Sequence, residues 1–254
     1  MPDSRKFFFI AGAEGSGTTV LLRLLASPRG YVSLGGSHFK YPRPAKDLVD
    51  AFDAANHKLW SRKESFADHA QARRDWHATN DALLASPIFE EVSRFFFKRS
   101  FPFDAPRDQY APDMWDMYDL WPEVQTIVIY RDPRAAAYSA FRRGFDTDIR
   151  RIAVVCSEQL TWIAAQVAAI GRERFKLVSY SQLCIDPLGA LTPLAALSET
   201  PAAEMEAAIA KEGGVKAGLD DRWSRELGAD EAGWLDEFFD ERRLRQWAIL
   251  TGGE

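Results

Sequence analysis

Only two cysteines occur among the 254 residues, Cys156 and Cys184, and they form no CxxC pair. So few thiols exclude a disulfide scaffold or a cysteine-built zinc cluster, and both read as reduced, partly buried side chains. Basic charge is also scarce: 32 Lys and Arg stand against 37 Asp and Glu, giving a net charge of −5 and a pI near 5.5. A chain this acidic has no sequence-wide attraction for nucleic acid, so any anion it binds must sit in a local pocket. Long apolar runs are missing as well. Phe7 to Ala13 is apolar but far too short to cross a bilayer, and no signal peptide is recognisable. The expectation is a cytoplasmic protein without a membrane partner. His57, His69 and His77 show no metal-ligand spacing and no HExxH occurs, so no metal site is expected.

What is present is ordinary globular composition, 46% hydrophobic and 27% charged, at a length that suits a single α/β domain spanning 1–254. KFFFIAGA (6–13) is a continuous apolar run ending in glycine, as expected of a first parallel strand. Gly12–Thr19 is a glycine turn, after which Val20, Leu21, Leu24 and Leu25 recur at helical spacing. Tyr31–Leu34, Arg94–Phe97, Thr126–Tyr130 and Phe175–Val178 read as further strands. Leu188–Leu197, Pro201–Lys211 and Trp234–Leu250 read as helices. Residues 41–92 are polar and aromatic with helical patches, and look like an insertion over the sheet forming part of an acceptor site or lid. Strands alternating with helices imply a three-layer fold: a central parallel sheet of about five strands, helices on both faces, and a ligand at the carboxyl ends of the strands.

Gly12–Thr19 (GAEGSGTT) fits the phosphate-loop pattern GxxxxGK[ST] everywhere except Thr18, where lysine should stand. Glycines let backbone N–H groups turn toward an anion, and the following helix adds about half a positive charge at its N-terminus. The missing lysine counts against ATP hydrolysis. A second anion signal lies in IVIYRDPRAAAYS (127–139). Arg131 ends a buried strand where it can pair bidentately with a phosphate, Pro133 suits a first helical position, and Ser139 follows two turns on. From Arg131 to Arg151 there are six arginines and three aspartates, a local surplus of three positive charges.

These two segments together resemble the 3′-phosphoadenosine 5′-phosphosulfate (PAPS)-dependent sulfotransferases. Ser16-Gly17-Thr18-Thr19 match the loop that holds the 5′-phosphosulfate, and Arg131, Asp132, Pro133, Arg134 and Ser139 match the 3′-phosphate motif R-[DN]-P-[RK]-x-x-x-x-S. FKLVSYSQLCIDP (175–187) is similar to the family's strand followed by Y-E-D-L and D-P through Tyr180, Leu183, Asp186 and Pro187, while Ser181 and Gln182 depart. KAGLDDRWSREL (216–227) resembles the late segment G-x-W-R-x-x-L, with Lys216 and Arg222 as basic contacts.

The resemblance implies PAPS as co-substrate, adenosine 3′,5′-bisphosphate as product, and a small-molecule or carbohydrate acceptor whose hydroxyl or amine is sulfated. Gly15, Ser16, Gly17, Thr18 and Thr19 would cradle the 5′ end. Arg131, Ser139, Lys216 and Arg222 would take the 3′-phosphate, and Tyr180 would lie near the adenine. The family's basic residue before SGTT is here Gly15, so Lys98 becomes the candidate for neutralising the leaving oxygen, with Arg99 and then Lys40 behind it. KRSFPFD (98–104) is similar to a K-T-H-L-P segment, but the basic histidine of that branch falls on Ser100. The carboxylate used as base in other branches has no counterpart at Gly36 or Ser37. His38 is the candidate base, since an imidazole titrates near 6.5, and Glu14 is the runner-up. Trp60, Trp76, Phe89, Phe95, Trp115, Tyr118 and Trp121 serve either an acceptor cleft or core packing. A phosphate-loop kinase or NTPase, and an inactive nucleotide-binding relative acting as a binding module, remain the alternatives.

Overall fold

The structure, a computed structural model, describes residues 5–26, 31–34, 66–87, 90, 92–100, 114–212 and 220–240. Strands β1 (Lys6–Gly12), β2 (Tyr31–Leu34), β3 (Arg94–Ser100), β4 (Gln125–Tyr130) and β5 (Phe175–Ser179) form one sheet in the order β2-β3-β1-β4-β5. Every adjacent pair is parallel. The strand carrying the glycine turn is therefore central. The chain reaches its neighbours β3 and β4 on opposite sides, which opens a crevice at the carboxyl end of β1.

Strand periodicity divides the core in two. Phe9, Ala11, Phe95, Phe97 and Val128 point to one face, covered by α2 (Phe66–Ala85), α3 (Met114–Leu120) and α5 (Ile149–Ile170) through Trp76, Met117 and Ile163. Phe8, Ile10, Phe96, Ile127 and Ile129 point to the other. They meet α1 (Thr18–Leu25), α6 (Tyr180–Ile185), α7 (Pro187–Ser198) and α8 (Ala202–Lys211). The FFF runs of β1 and β3 lie in matched register. Phe7–Phe95, Phe8–Phe96 and Phe9–Phe97 face each other with ring centroids 5.5, 4.8 and 5.6 Å apart. Such pairs each contribute about 0.5–1.5 kcal/mol beyond burial.

Helix α4 (Pro133–Arg142) follows β4 and packs with α5 and α10 (Ala229–Phe238) around Ala137, Ala140, Ile152, Cys156 and Leu235. A short α9 (Arg222–Glu226) lies beside α4. Among the described residues both cysteines are free thiols. Burial pushes the Cys156 thiol up to about 12.

Part of the expected insertion is core, because Trp76 of α2 is fully buried against Phe97. Phe95, Tyr118 and Trp121 are buried as well, whereas Trp115 is exposed; Trp60 and Phe89 lie outside the described residues. By length and composition alone, Ile149–Ile170 is long and apolar enough to cross a membrane. Its apolar character is accounted for in the fold by Ile152, Cys156, Ile163 and Val167, which are buried.

Candidate active site

The glycine turn leaves β1 and enters α1 through Gly15 and Gly17, both in the left-handed region at φ 84° and 101°. Neither position has room for a side chain. A Cβ at Gly15 would lie 2.2 Å from the Ala136 carbonyl oxygen of α4, and one at Gly17 would lie 2.5 Å from the Tyr180 ring. The absence of a basic side chain at position 15 thus has a steric cause: the loop packs directly on the backbone of α4. Ser16 closes the turn, its hydroxyl and its N–H both donating to the Ala13 carbonyl at 2.7 and 3.1 Å. The N-cap of α1 is Gly17, which brings no side chain of its own to the N–H groups of the first turn, the kind of helix start that can receive an anion. Thr19 is half-buried there.

Register places Ser100 of β3 beside Gly12, and its hydroxyl lies 2.6 Å from that of Thr18, both buried. Ser100 therefore supports the loop from the position that carries histidine in the K-T-H-L-P branch. Lys98 lies two residues earlier, on the same face of β3 and half-buried. The Arg99 side chain is not among those described. His38, Lys40 and Lys216 also lie outside the described residues.

Arg131 follows directly after β4 and turns back onto the loop. Its Nη1 donates to the Gly15 carbonyl at 3.2 Å, and its Nε donates to Asp220 Oδ1 at 2.6 Å. The guanidinium carbon sits 4.3 Å above the Tyr180 ring centre. Tyr180 is thus a buried platform beneath the arginine rather than an open stacking surface, and burial pushes its phenol up to about 12. The second oxygen of Asp220 accepts from the Ser181 hydroxyl.

The remainder of the RDPR turn is structural. Asp132 caps α4, accepting from the Arg134 N–H at 2.9 Å. Arg134 pairs with Asp132 and Asp236 and lies over Trp223. With the helix end already occupied by a carboxylate, the anion-binding capacity of this turn rests on Arg131. Ser139 lies two turns along α4, half-buried.

Glu14 pairs with Arg143 at 2.5 Å, and its N–H donates to Gln159 Oε1 of α5 at 3.2 Å. The cation that a carboxylate on this loop requires is therefore supplied. Arg222 forks onto Glu226 at 2.6 and 3.0 Å, while Glu226 also accepts from the Tyr138 hydroxyl. The described hydrogen bonds of Arg222 stay within α9, and it is Glu226 that ties α9 to α4 through Tyr138 and Arg142.

The surplus of positive charge in 131–151 is consequently absorbed by acids from elsewhere: Glu14, Asp220, Glu226 and Asp236. Gln159, Arg143, Ser181 and Asp220 escaped the sequence reading because their partners lie far off in the chain, by 145, 129, 39 and 89 residues. The only signal in the sequence was the departure of Ser181 from the family motif. Among the described residues no cluster of His, Cys, Asp and Glu could hold a metal ion.

A parallel α/β fold with a lysine-less phosphate loop beside a strand-end arginine defines the class. The model of the "Sulfotransferase family" matches residues 8–204. The chain belongs to the sulfotransferase family, and sulfuryl transfer is the activity this membership supports. Solved structures share the fold. The sulfotransferase from Alicyclobacillus acidocaldarius superposes with a TM-score of 0.59 at 16% identity, covering 98% of this chain and 97% of its own. The sulfotransferase domain from the curacin biosynthetic pathway gives 0.57 at 15% identity, over 91% and 96%. The sulfotransferase domain of the Synechococcus PCC 7002 olefin synthase gives 0.51 at 18%, over 94% and 96%. Among curated proteins none matches by sequence.

Proposed function

We propose that this chain transfers a sulfuryl group from PAPS to a hydroxyl or amine of a small-molecule or glycan acceptor, releasing adenosine 3′,5′-bisphosphate. The observation that carries this reading is the contact of Arg131 Nη1 with the Gly15 carbonyl at 3.2 Å. It joins the two anion-binding segments, so a single nucleotide can span them. Loop N–H groups and the open end of α1 would hold the 5′ end, with the hydroxyls of Thr18 and Thr19 beside them. Arg131 and Ser139 would take the 3′-phosphate.

In the transfer, the bond between sulfur and the phosphate oxygen breaks as the acceptor oxygen or nitrogen bonds to sulfur. The chain has two tasks: to neutralise the oxygen left on the phosphate, and to accept the acceptor's proton. Lys98 is assigned the first, since Gly15 cannot carry a cation. His38 is assigned the second, because Ser100 is committed to Thr18 and Glu14 to Arg143. Lysine is missing at Thr18, which disfavours the kinase or NTPase reading.

Calorimetry tests the donor. The protein should bind adenosine 3′,5′-bisphosphate and ignore ATP with magnesium, and Arg131→Ala should lose that binding. Transfer from PAPS to an acceptor panel then tests catalysis, where His38→Ala should retain binding and lose turnover. Binding of ATP with magnesium in preference would overturn the donor assignment. Nucleotide binding without transfer to any acceptor would favour an inactive binding module.

A further inference from the structure

We propose that Asp220 is an internal stand-in for the nucleotide's 3′-phosphate, filling the Arg131 cradle until a phosphate dianion displaces it. The inference rests on the assignment of Arg131 to that phosphate. Asp220 presents two oxygens to a guanidinium and a hydroxyl, the same donor types that recognise a phosphate. Oδ1 accepts from Arg131 Nε at 2.6 Å and Oδ2 accepts from Ser181 Oγ. Arg131 is only 6% exposed and is also held by the Gly15 carbonyl and the Tyr180 ring. A guanidinium this buried needs a counter-ion whenever no ligand is present, because an unpaired buried charge is strongly destabilising. Asp220 supplies it.

The same carboxylate opposes a ligand. A phosphate approaching Arg131 would bring like charge within a few ångströms of Asp220 at a partly buried site, where repulsion is poorly screened. The site is therefore filtered by charge. A doubly charged phosphomonoester can outcompete one carboxylate for the arginine, whereas a singly charged or neutral group cannot. An adenosine nucleotide without a 3′-phosphate would leave the Arg131–Asp220 pair intact and gain nothing from it.

The test compares the native protein with Asp220→Asn and with Ser181→Ala, titrating each with adenosine 3′,5′-bisphosphate and with adenosine 5′-monophosphate. Asp220→Asn keeps the shape and removes the charge. It should tighten the bisphosphate about tenfold, the scale of one modest charge interaction, and leave the monophosphate unchanged. Ser181→Ala keeps the charge and removes a donor that carboxylate and phosphate would share, so it should move the bisphosphate by no more than about two- to threefold. Weaker or unchanged bisphosphate binding by Asp220→Asn, with native binding intact, would overturn the inference alone and make Asp220 a positioning residue or a bystander. Equal tightening of both nucleotides would overturn it too, since the effect would then not concern the 3′-phosphate. If neither nucleotide binds to native protein or variants, the donor assignment falls and this inference falls with it.

Discussion

The hydroxyls of Thr18 and Ser100 meet at 2.6 Å inside the protein, joining the phosphate loop to the end of the neighbouring strand. This hydrogen bond fixes the first residue of α1 relative to β3. It also commits the hydroxyl at the position that the K-T-H-L-P branch gives to its basic histidine. Ser100→Ala and Thr18→Val should each cost about 1–2 kcal/mol, the penalty of leaving one buried hydroxyl without its partner. The double variant should cost less than the sum, with a coupling of about 1 kcal/mol visible in denaturant midpoints. Additive costs would show that the two hydroxyls do not depend on each other.

Restoring the family's basic residue at position 15 should harm the protein. Gly15→Lys places a Cβ 2.2 Å from the Ala136 carbonyl at a φ of 84°, combining a backbone clash with a left-handed residue. The expected loss is about 2 kcal/mol or more, of which the left-handed conformation accounts for roughly half. Thermal melting should show the drop, and adenosine 3′,5′-bisphosphate should bind more weakly than to native protein. A variant of native stability with improved turnover would show that the loop can move away from α4.

The contact between α9 and α4 should fail only in strong acid. Hydrogen bonds from Arg222 and Tyr138 hold the Glu226 carboxyl down at about 2 against an ordinary 4.5. A carboxyl lowered in the folded state adds stability that is fully present above its unfolded value and is lost as pH falls through its folded value. The stability difference between native protein and Glu226→Gln should therefore be constant from neutrality down to about pH 5. It should shrink between 4.5 and about 2 and vanish below. Urea unfolding across that range reads it directly, and a difference that persists below pH 2 would assign the effect to packing instead.

Much of the fold could be read from local pattern. The runs at 6–13, 31–34, 94–97, 126–130 and 175–178 became the parallel strands, because buried parallel strands are apolar on both faces. Helix α5 went unread: its polar residues Gln159 and Gln166 are buried and interrupt the amphipathic stripe. Their side chains accept from the Glu14 and Met114 backbones at 3.2 and 3.0 Å, contacts that no local spacing encodes. At the site, motif residues came together as a phosphate loop and a strand-end arginine. Which cations were already engaged could not be read, since pairing depends on partners brought in by the fold. Arg134 matched the motif yet serves the cap of α4, and Gly15 looked like a lost cation when it is a point of close packing.

Neutralisation of the 131–151 arginines by acids from distant parts of the chain limits how far the site can be felt. Opposed charges a few ångströms apart cast a dipolar field that fades well inside one screening length. Capture of the donor then depends on chance encounter rather than on long-range steering. Its association rate should respond weakly to ionic strength, even though the nucleotide carries several negative charges.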